Sequence, residues 1–209
     1  MKRLVRIVAV MAAGLVATAG AAHAQTADTG KFYAEATASS SFGHTSSGAF
    51  GAEIGYRLTK LFGVYLEGGR IKNVASADVE AKAKIIGDAL GTTAKVTQAM
   101  NYFSAGVTAE FPMGGRFTPR AQVGFGGSGV ETKTVFGVAP GSQVLLGGDL
   151  TGHYRKSYFT IGVGTHVAIA GQWFADVSYR YGKIGDYADF ESNAIKINRI
   201  QFGFGRRLF

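Results

Sequence analysis

Three residues toward the C-terminus have the types that nucleophilic catalysis uses, namely His166, Asp176 and Ser178. A histidine held by a carboxylate can act as a general base toward a serine hydroxyl. This serine lies in no nucleophile-elbow motif. Neighbouring strands with polar side chains on one face also bring such residues together without any catalytic role. We therefore interpret His166 and Asp176 as a structural pair and expect no catalytic residues and no enzymatic activity.

The sequence gives little support for a metal, a cofactor or a nucleic acid. His44 and His153 lie far apart in the chain, and neither has neighbours at metal-ligand spacing, so we expect no metal site. The glycines of residues 124–127 do not open a helix after a strand, so they form no phosphate-binding loop, and no cofactor is expected. The formal net charge of +8 is spread along the chain rather than clustered. This pattern argues against nucleic-acid binding.

The elements that position these residues are β-strands, because polar and apolar side chains alternate along the chain. Between residues 48 and 58, Phe50 and Ile54 share one parity, whereas Glu53 and Arg57 share the other. The alternation recurs in eight segments, whose connections are alternately longer and shorter: residues 41–47, 59–61, 72–97, 112–116, 128–157, 170–172 and 183–194. Short turns on one side and long loops on the other are typical of outer-membrane β-barrels, with both termini on the periplasmic side.

The charged residues share one face of these strands, and the opposite face is apolar. A water-soluble eight-stranded carrier would turn the apolar face inward, whereas a membrane barrel turns it outward. Aromatic residues beside the short turns favour the membrane barrel, because an aromatic girdle forms at the membrane interface. The girdle consists of Tyr56, Phe62, Phe111, Phe117 and Trp173. We predict an all-β protein, an eight-stranded antiparallel up-and-down transmembrane β-barrel of the bacterial outer membrane.

In a barrel of this size the charged face lines a narrow lumen that its own side chains fill. The residues expected in this lumen charge network are Glu35, Glu53, Arg57, Glu67, Glu110, Arg120, His166, Asp176, Arg180 and Arg199. The short turn between the second and third strands sets Glu53 opposite Glu67, so an arginine must bridge the two carboxylates or one of them must hold a proton. By the same construction, His166 faces Asp176.

Segments outside the strands carry further signals. Lys2, Arg3 and Arg6 precede an apolar run, and Ala22–His23–Ala24 is a small-x-small cleavage site. We interpret residues 1–24 as a cleavable signal peptide and residues 25–209 as the barrel domain. Residues 79–90 have helix-like apolar spacing within a long loop. Residues 130–157 fit either an extension of the fifth and sixth strands or an irregular loop.

Several segments resemble the transmembrane-barrel family of OmpA-like and opacity-type outer-membrane proteins. The resemblance is carried by residues 55–57 running into 62–66, by residues 117–126 and 177–182, and by the terminal Phe209. It implies contact with outer-membrane lipids and insertion by the barrel-assembly machinery, which reads the last strand and its closing aromatic residue. In this sequence Phe209 has the parity of Arg207 rather than that of Phe204, so the closing aromatic departs from the family pattern.

Three functions fit a small barrel of this kind. The favoured one is a structural or surface-interaction role, in which the outer loops contact host or envelope partners, since function usually resides on loops. The alternative is a narrow porin-like channel for small solutes, because some lumen positions carry only glycine or threonine. The lesser alternative is a lipid-modifying barrel enzyme, for which the sequence shows no recognisable triad.

Overall fold

The computed structural model describes residues 31–42, 45–113, 115–137, 152–185 and 194–208. The expected signal peptide, His44 and Phe209 lie outside these ranges. The described residues form eight strands and one helix: β1 (Phe32–Phe42), β2 (Ser47–Arg57), β3 (Phe62–Ile71), α1 (Ala77–Ala89), β4 (Ala94–Glu110), β5 (Phe117–Phe136), β6 (Gly152–Ala170), β7 (Trp173–Gly185) and β8 (Ile195–Leu208).

The strands close into one antiparallel barrel in sequence order, as the alternating pattern predicted. Closure is made by β1 and β8, which pair from Phe32 opposite Leu208 to Phe42 opposite Asn198. Where all eight strands lie side by side, the closed barrel has no free sheet edge, so the ladders satisfy the backbone hydrogen bonds there. This condition must be met wherever a chain crosses lipid.

The two faces of the sheet have the orientation expected of a membrane barrel. The apolar residues Phe50, Val107 and Ile161 are 55%, 53% and 48% exposed, whereas Glu53 and Arg180 are 0% exposed. Apolar side chains therefore cover the outside of the barrel, and the charged ones lie within it. This orientation excludes the water-soluble carrier, in which the apolar face would line the interior.

The short connections lie together at one end of the barrel, close to the five aromatic residues that the sequence assigns to the girdle. All five girdle residues, Tyr56, Phe62, Phe111, Phe117 and Trp173, are exposed. The β6–β7 turn contains Gly171 at φ 55°, a left-handed conformation that glycine adopts without strain. After that turn, Trp173 stacks on Phe204 of β8 with 5.0 Å between the ring centroids.

Helix α1 (Ala77–Ala89) overlaps residues 79–90 of the β3–β4 connection, the segment with helix-like spacing, and begins two residues earlier. The helix begins after Ser76 and packs its buried Ala83 against Ala75 of the preceding segment and Val96 of β4. It therefore lies at the long-loop end, against the buried face of β4. Within the described residues, no helix has the length and apolar character needed to cross a bilayer.

Three neighbouring strands are much longer than the rest. β4, β5 and β6 have 17, 20 and 19 residues, whereas β3 has 10 and β8 has 14. A transmembrane strand needs only about 9–11 residues, so these three continue beyond the other strands at the long-loop end. We call the projecting part, residues 94–99, 128–136 and 152–156, the arm. Of the two possibilities left open for residues 130–157, the extended strands are found at residues 130–136 and 152–157, and residues 138–151 lie outside the described ranges.

Candidate functional site

The lumen at the short-turn end contains the charged residues that the sequence placed on the inner face. Nine of the ten are buried, namely Glu35, Glu53, Glu67, Glu110, Arg120, His166, Asp176, Arg180 and Arg199. The tenth, Arg57, is half-buried at the short-turn end and donates a 2.8 Å hydrogen bond to Glu110. Strand alternation turns them all toward the lumen, because each lies at an inward-facing position of its strand.

Arg180 lies between the two glutamates that the β2–β3 turn sets side by side. Glu53 and Glu67 are register partners, as predicted. The Arg180 guanidinium donates a 2.7 Å hydrogen bond to Glu53, and its other terminal nitrogen is 3.6 Å from Glu67. Of the two solutions expected for this carboxylate pair, the structure adopts the bridging arginine.

Arg199 continues the same sequence of alternating charges toward the long-loop end. It is the register partner of Arg180 on β8, and Glu67 separates the two guanidiniums at 3.6 and 3.3 Å. Arg199 also donates hydrogen bonds to the hydroxyls of Tyr102 and Tyr158. Glu53, Arg180, Glu67 and Arg199 therefore form a row in which every carboxylate has a cation beside it.

Arg120 joins Glu53 to two further carboxylates, those of Glu35 and Asp176. Its terminal nitrogens are 2.9 Å from Glu53, 3.0 Å from Asp176 and 3.7 Å from Glu35. The pairing of Glu35 with Glu53 across β1 and β2 was missed by the sequence analysis. Both glutamates have the inward parity of their strands, so the register of the first hairpin could have identified them.

His166 does not form the arrangement that nucleophilic catalysis needs. It faces Asp176 in register, as predicted, but its Nε2 atom is 3.7 Å from the carboxylate. The Ser178 hydroxyl donates a 2.8 Å hydrogen bond to Asp176 and makes none to the histidine. The imidazole lies against the Phe174 ring, with centroids 4.4 Å apart. No nucleophile is therefore presented to this histidine by the three residues that first suggested catalysis.

The lumen at the long-loop end is apolar, which the sequence analysis did not foresee. A cluster of buried side chains fills it: Ile71, Met100, Val130, Tyr158, Ile184 and Ile197. The signal was present, because on several strands the inward parity changes from charged to apolar residues beyond the last ionic position. Glu67 followed by Ile71, and Arg199 preceded by Ile197, are two such changes. The lumen thus has an ionic layer and an apolar layer.

One protein family and several solved structures resemble this chain. A family model described as "Outer membrane protein beta-barrel domain" matches residues 11–207. The solved structure of Neisserial surface protein A is 14% identical, covers 85% of this chain and 97% of that chain, and has a TM-score of 0.60. Ail, the attachment invasion locus protein of Yersinia pestis, is 14% identical, covers 86% and 99%, and has a TM-score of 0.52. Comparison with curated proteins gives no match.

Proposed function

Because the chain belongs to the family of outer-membrane β-barrel proteins, we propose that it is a surface-interaction protein whose arm contacts anionic glycans outside the bacterial cell. The proposal rests on the arm, because the arm is the part of the described chain that extends beyond the length needed for a membrane strand. It lies at the long-loop end, which faces the exterior in outer-membrane barrels. The barrel serves as its anchor, with no catalytic role.

The outward face of the arm is basic. Lys95, Lys133 and Arg155 are exposed there, and Glu131 is the exposed carboxylate among them. Lys95 pairs with Val135, so it lies diagonal to Lys133 on the same face. Like charges at that spacing repel each other, and a polyanion that neutralises both would relieve the repulsion. This group of exposed positive charges favours a sulfated or phosphorylated glycan as the partner.

The test compares the variant Lys95→Gln/Lys133→Gln/Arg155→Gln with the unchanged protein on intact cells. We expect its binding of fluorescent heparin to fall about tenfold, because three exposed ion pairs contribute roughly 0.5 kcal/mol each. Binding to the unchanged protein should also weaken as salt is raised, since salt screens exposed charges. The control variant Lys31→Gln/Lys60→Gln/Arg206→Gln removes the same charge at the short-turn end and should bind normally. Equal loss in both variants, or no binding by the unchanged protein, would contradict the proposal.

The two lumen layers argue against the alternative of a solute channel. A hydrated ion would have to pass the apolar cluster around Met100 and Tyr158, which are both 0% exposed, and then the row of ion pairs around Arg180. We therefore expect the purified protein to give no stable single-channel steps in a planar bilayer. Steps whose size increases when Met100 is replaced by glycine would favour the channel instead.

A further inference from the structure

Three side chains of metal-binding type converge in the ionic layer from three different strands. Glu35 on β1, His166 on β6 and Asp176 on β7 each offer one ligand atom, and these atoms all lie within 4.8 Å of one another. All three residues are buried. We propose that Glu35, His166 and Asp176 bind a divalent transition-metal ion, of which Zn²⁺ is the type case. These ligands come from distant parts of the chain, so the spacing along the sequence predicted no metal site.

Gly203 on β8 makes this convergence possible. It is the register partner of Asp176 and lies on the strand between β7 and β1. The Glu35 carboxylate lies directly against its Cα, where the Cβ of any other residue would overlap the carboxyl group. The glycine therefore lets the Glu35 side chain reach across β8 toward Asp176 and His166.

The separations between the ligand atoms suit a shared ion better than direct hydrogen bonds. Nε2 of His166 is 3.7 Å from Oε2 of Glu35 and 3.7 Å from Oδ2 of Asp176. Both distances exceed those of N–H···O hydrogen bonds. Two ligands on one tetrahedral ion, with bonds of about 2.1 Å, would be about 3.4 Å apart. Both separations from the histidine are thus close to those around a tetrahedral ion, and all three ligand atoms lie within 4.8 Å of one another.

The same atoms lack hydrogen-bond partners within the described chain, although Arg120 forms an ion pair with Oδ2 of Asp176 at 3.0 Å. Neither ring nitrogen of His166 and neither carboxylate oxygen of Glu35 has a hydrogen-bond partner there, although both side chains are buried. Leaving a buried polar group unsatisfied costs about 1–3 kcal/mol, and more for a charged one. An ion held by these atoms would remove that cost. The unsatisfied atoms therefore support a bound ion independently of how the three residues cluster.

The charge count of the fully buried ion pairs also accepts a cation. Arg120, Arg180 and Arg199 contact four carboxylates, those of Glu35, Glu53, Glu67 and Asp176. Of these arginines, only Arg120 contacts Glu35, at 3.7 Å. Arg120 also forms ion pairs with Glu53 and Asp176. One negative charge is therefore in excess, and it is located beside the proposed ligands.

Side chains that contact the three ligands resemble those that orient metal ligands in other proteins. Ser178 donates a 2.8 Å hydrogen bond to Oδ1 of Asp176, whereas Oδ2 faces His166 at 3.7 Å and a terminal nitrogen of Arg120 at 3.0 Å. Glu110 lies 3.9 Å from the other ring nitrogen of His166. Glu110 in turn pairs with Arg57, whose side chain is 22% exposed at the short-turn end. An ion would therefore enter from the periplasmic side, past Glu110.

The donor set identifies the class of ion. One imidazole nitrogen with two carboxylate oxygens suits Zn²⁺ and its neighbours in the first transition row. Ca²⁺ and Mg²⁺ prefer sites made of oxygen alone. Arg120 lies 3.0 Å from Asp176 and opposes any cation there. We therefore expect Zn²⁺ and Co²⁺ to bind, and Ca²⁺ and Mg²⁺ to compete poorly with them.

The test uses the folded protein in detergent, without a histidine tag, and Co²⁺ as a coloured probe. We expect Co²⁺ to give visible absorption bands that Zn²⁺ removes, and Zn²⁺ to raise the unfolding midpoint of the unchanged protein. His166→Gln should abolish the bands, and Glu35→Gln should weaken binding about tenfold or more. The variant His44→Gln/His153→Gln retains His166 and should bind normally.

Several results would overturn the proposal. They are the absence of both the bands and the midpoint shift in the unchanged protein, loss of binding in His44→Gln/His153→Gln, and displacement of Co²⁺ by equimolar Ca²⁺. Heat-modifiable gel migration establishes that each variant is folded. If His166→Gln does not fold, Glu35→Gln and the midpoint shift of the unchanged protein decide the question. An excess charge neutralised by a proton instead of an ion would leave that midpoint insensitive to Zn²⁺.

Discussion

Replacing Arg180 by alanine is expected to lower the free energy of unfolding by about 3–5 kcal/mol, the usual cost of removing one member of a buried ion pair. In the folded barrel, Arg180 lies between Glu53 and Glu67. Without it, two buried carboxylates would face each other in register. Glu53 would then pair only with Arg120, and Glu67 only with Arg199. The measurement is urea-induced unfolding in detergent, followed by heat-modifiable gel migration. Arg199→Ala should act in the same direction, because it strands Glu67.

Arg206→Ala is the matched control for this substitution. Arg206 lies at the short-turn end, where its guanidinium bonds to Gln172 in an exposed position. Exposed polar contacts of this kind contribute about 0–1 kcal/mol, so the control should unfold close to the unchanged protein. Equal midpoints for Arg180→Ala and Arg206→Ala would refute the role assigned to the row of alternating charges.

The second large effect concerns the outer face of the barrel. Leu66 lies midway along β3, points away from the lumen and is 54% exposed. We expect Leu66→Arg to destabilise the protein in lipid vesicles by about 2–4 kcal/mol, the cost of an arginine near the bilayer midplane. The reason is that the arginine head group must remain solvated, by reaching for the interface or by drawing water into the hydrocarbon.

Leu61→Arg provides the same chemical change at a different depth. Leu61 lies in the β2–β3 turn and is 47% exposed, so its exposure resembles that of Leu66. At an interface the cost of arginine falls to about 0–1 kcal/mol. Unfolding of both variants should be measured in vesicles of the same lipid. If Leu66→Arg were tolerated as well as Leu61→Arg, the assignment of this face to lipid would be wrong.

Local rules were sufficient to predict the strands and the pairing within hairpins. Period-two alternation identified the inward parity of Glu53 and Arg180. The short β2–β3 turn then fixed the pairing of Glu53 with Glu67. The same rule placed His166 opposite Asp176. In each case, residues close in sequence determine the geometry, so no tertiary information is needed.

Contacts that cross the lumen could not be obtained in this way. Arg180 reaches Glu53 across the lumen, and the diameter and stagger of the closed sheet determine which side chains meet in this way. The approach of Glu35 to Asp176 depends on Gly203, which lies on the intervening strand and looks unremarkable in the sequence. The length of the arm was also undetermined, because an extended hairpin and an irregular loop have similar residue patterns.

The seam between β1 and β8 sets the order of events when the protein folds. Its two strands are the first and last of the described chain, so they can meet only after nearly the whole polypeptide is available. Such distant pairings make folding slow. Until the seam closes, two unpaired edges and an oily exterior remain open to aggregation. We therefore propose that biogenesis uses a holding chaperone in transit and a catalyst that delivers one terminal strand to the other.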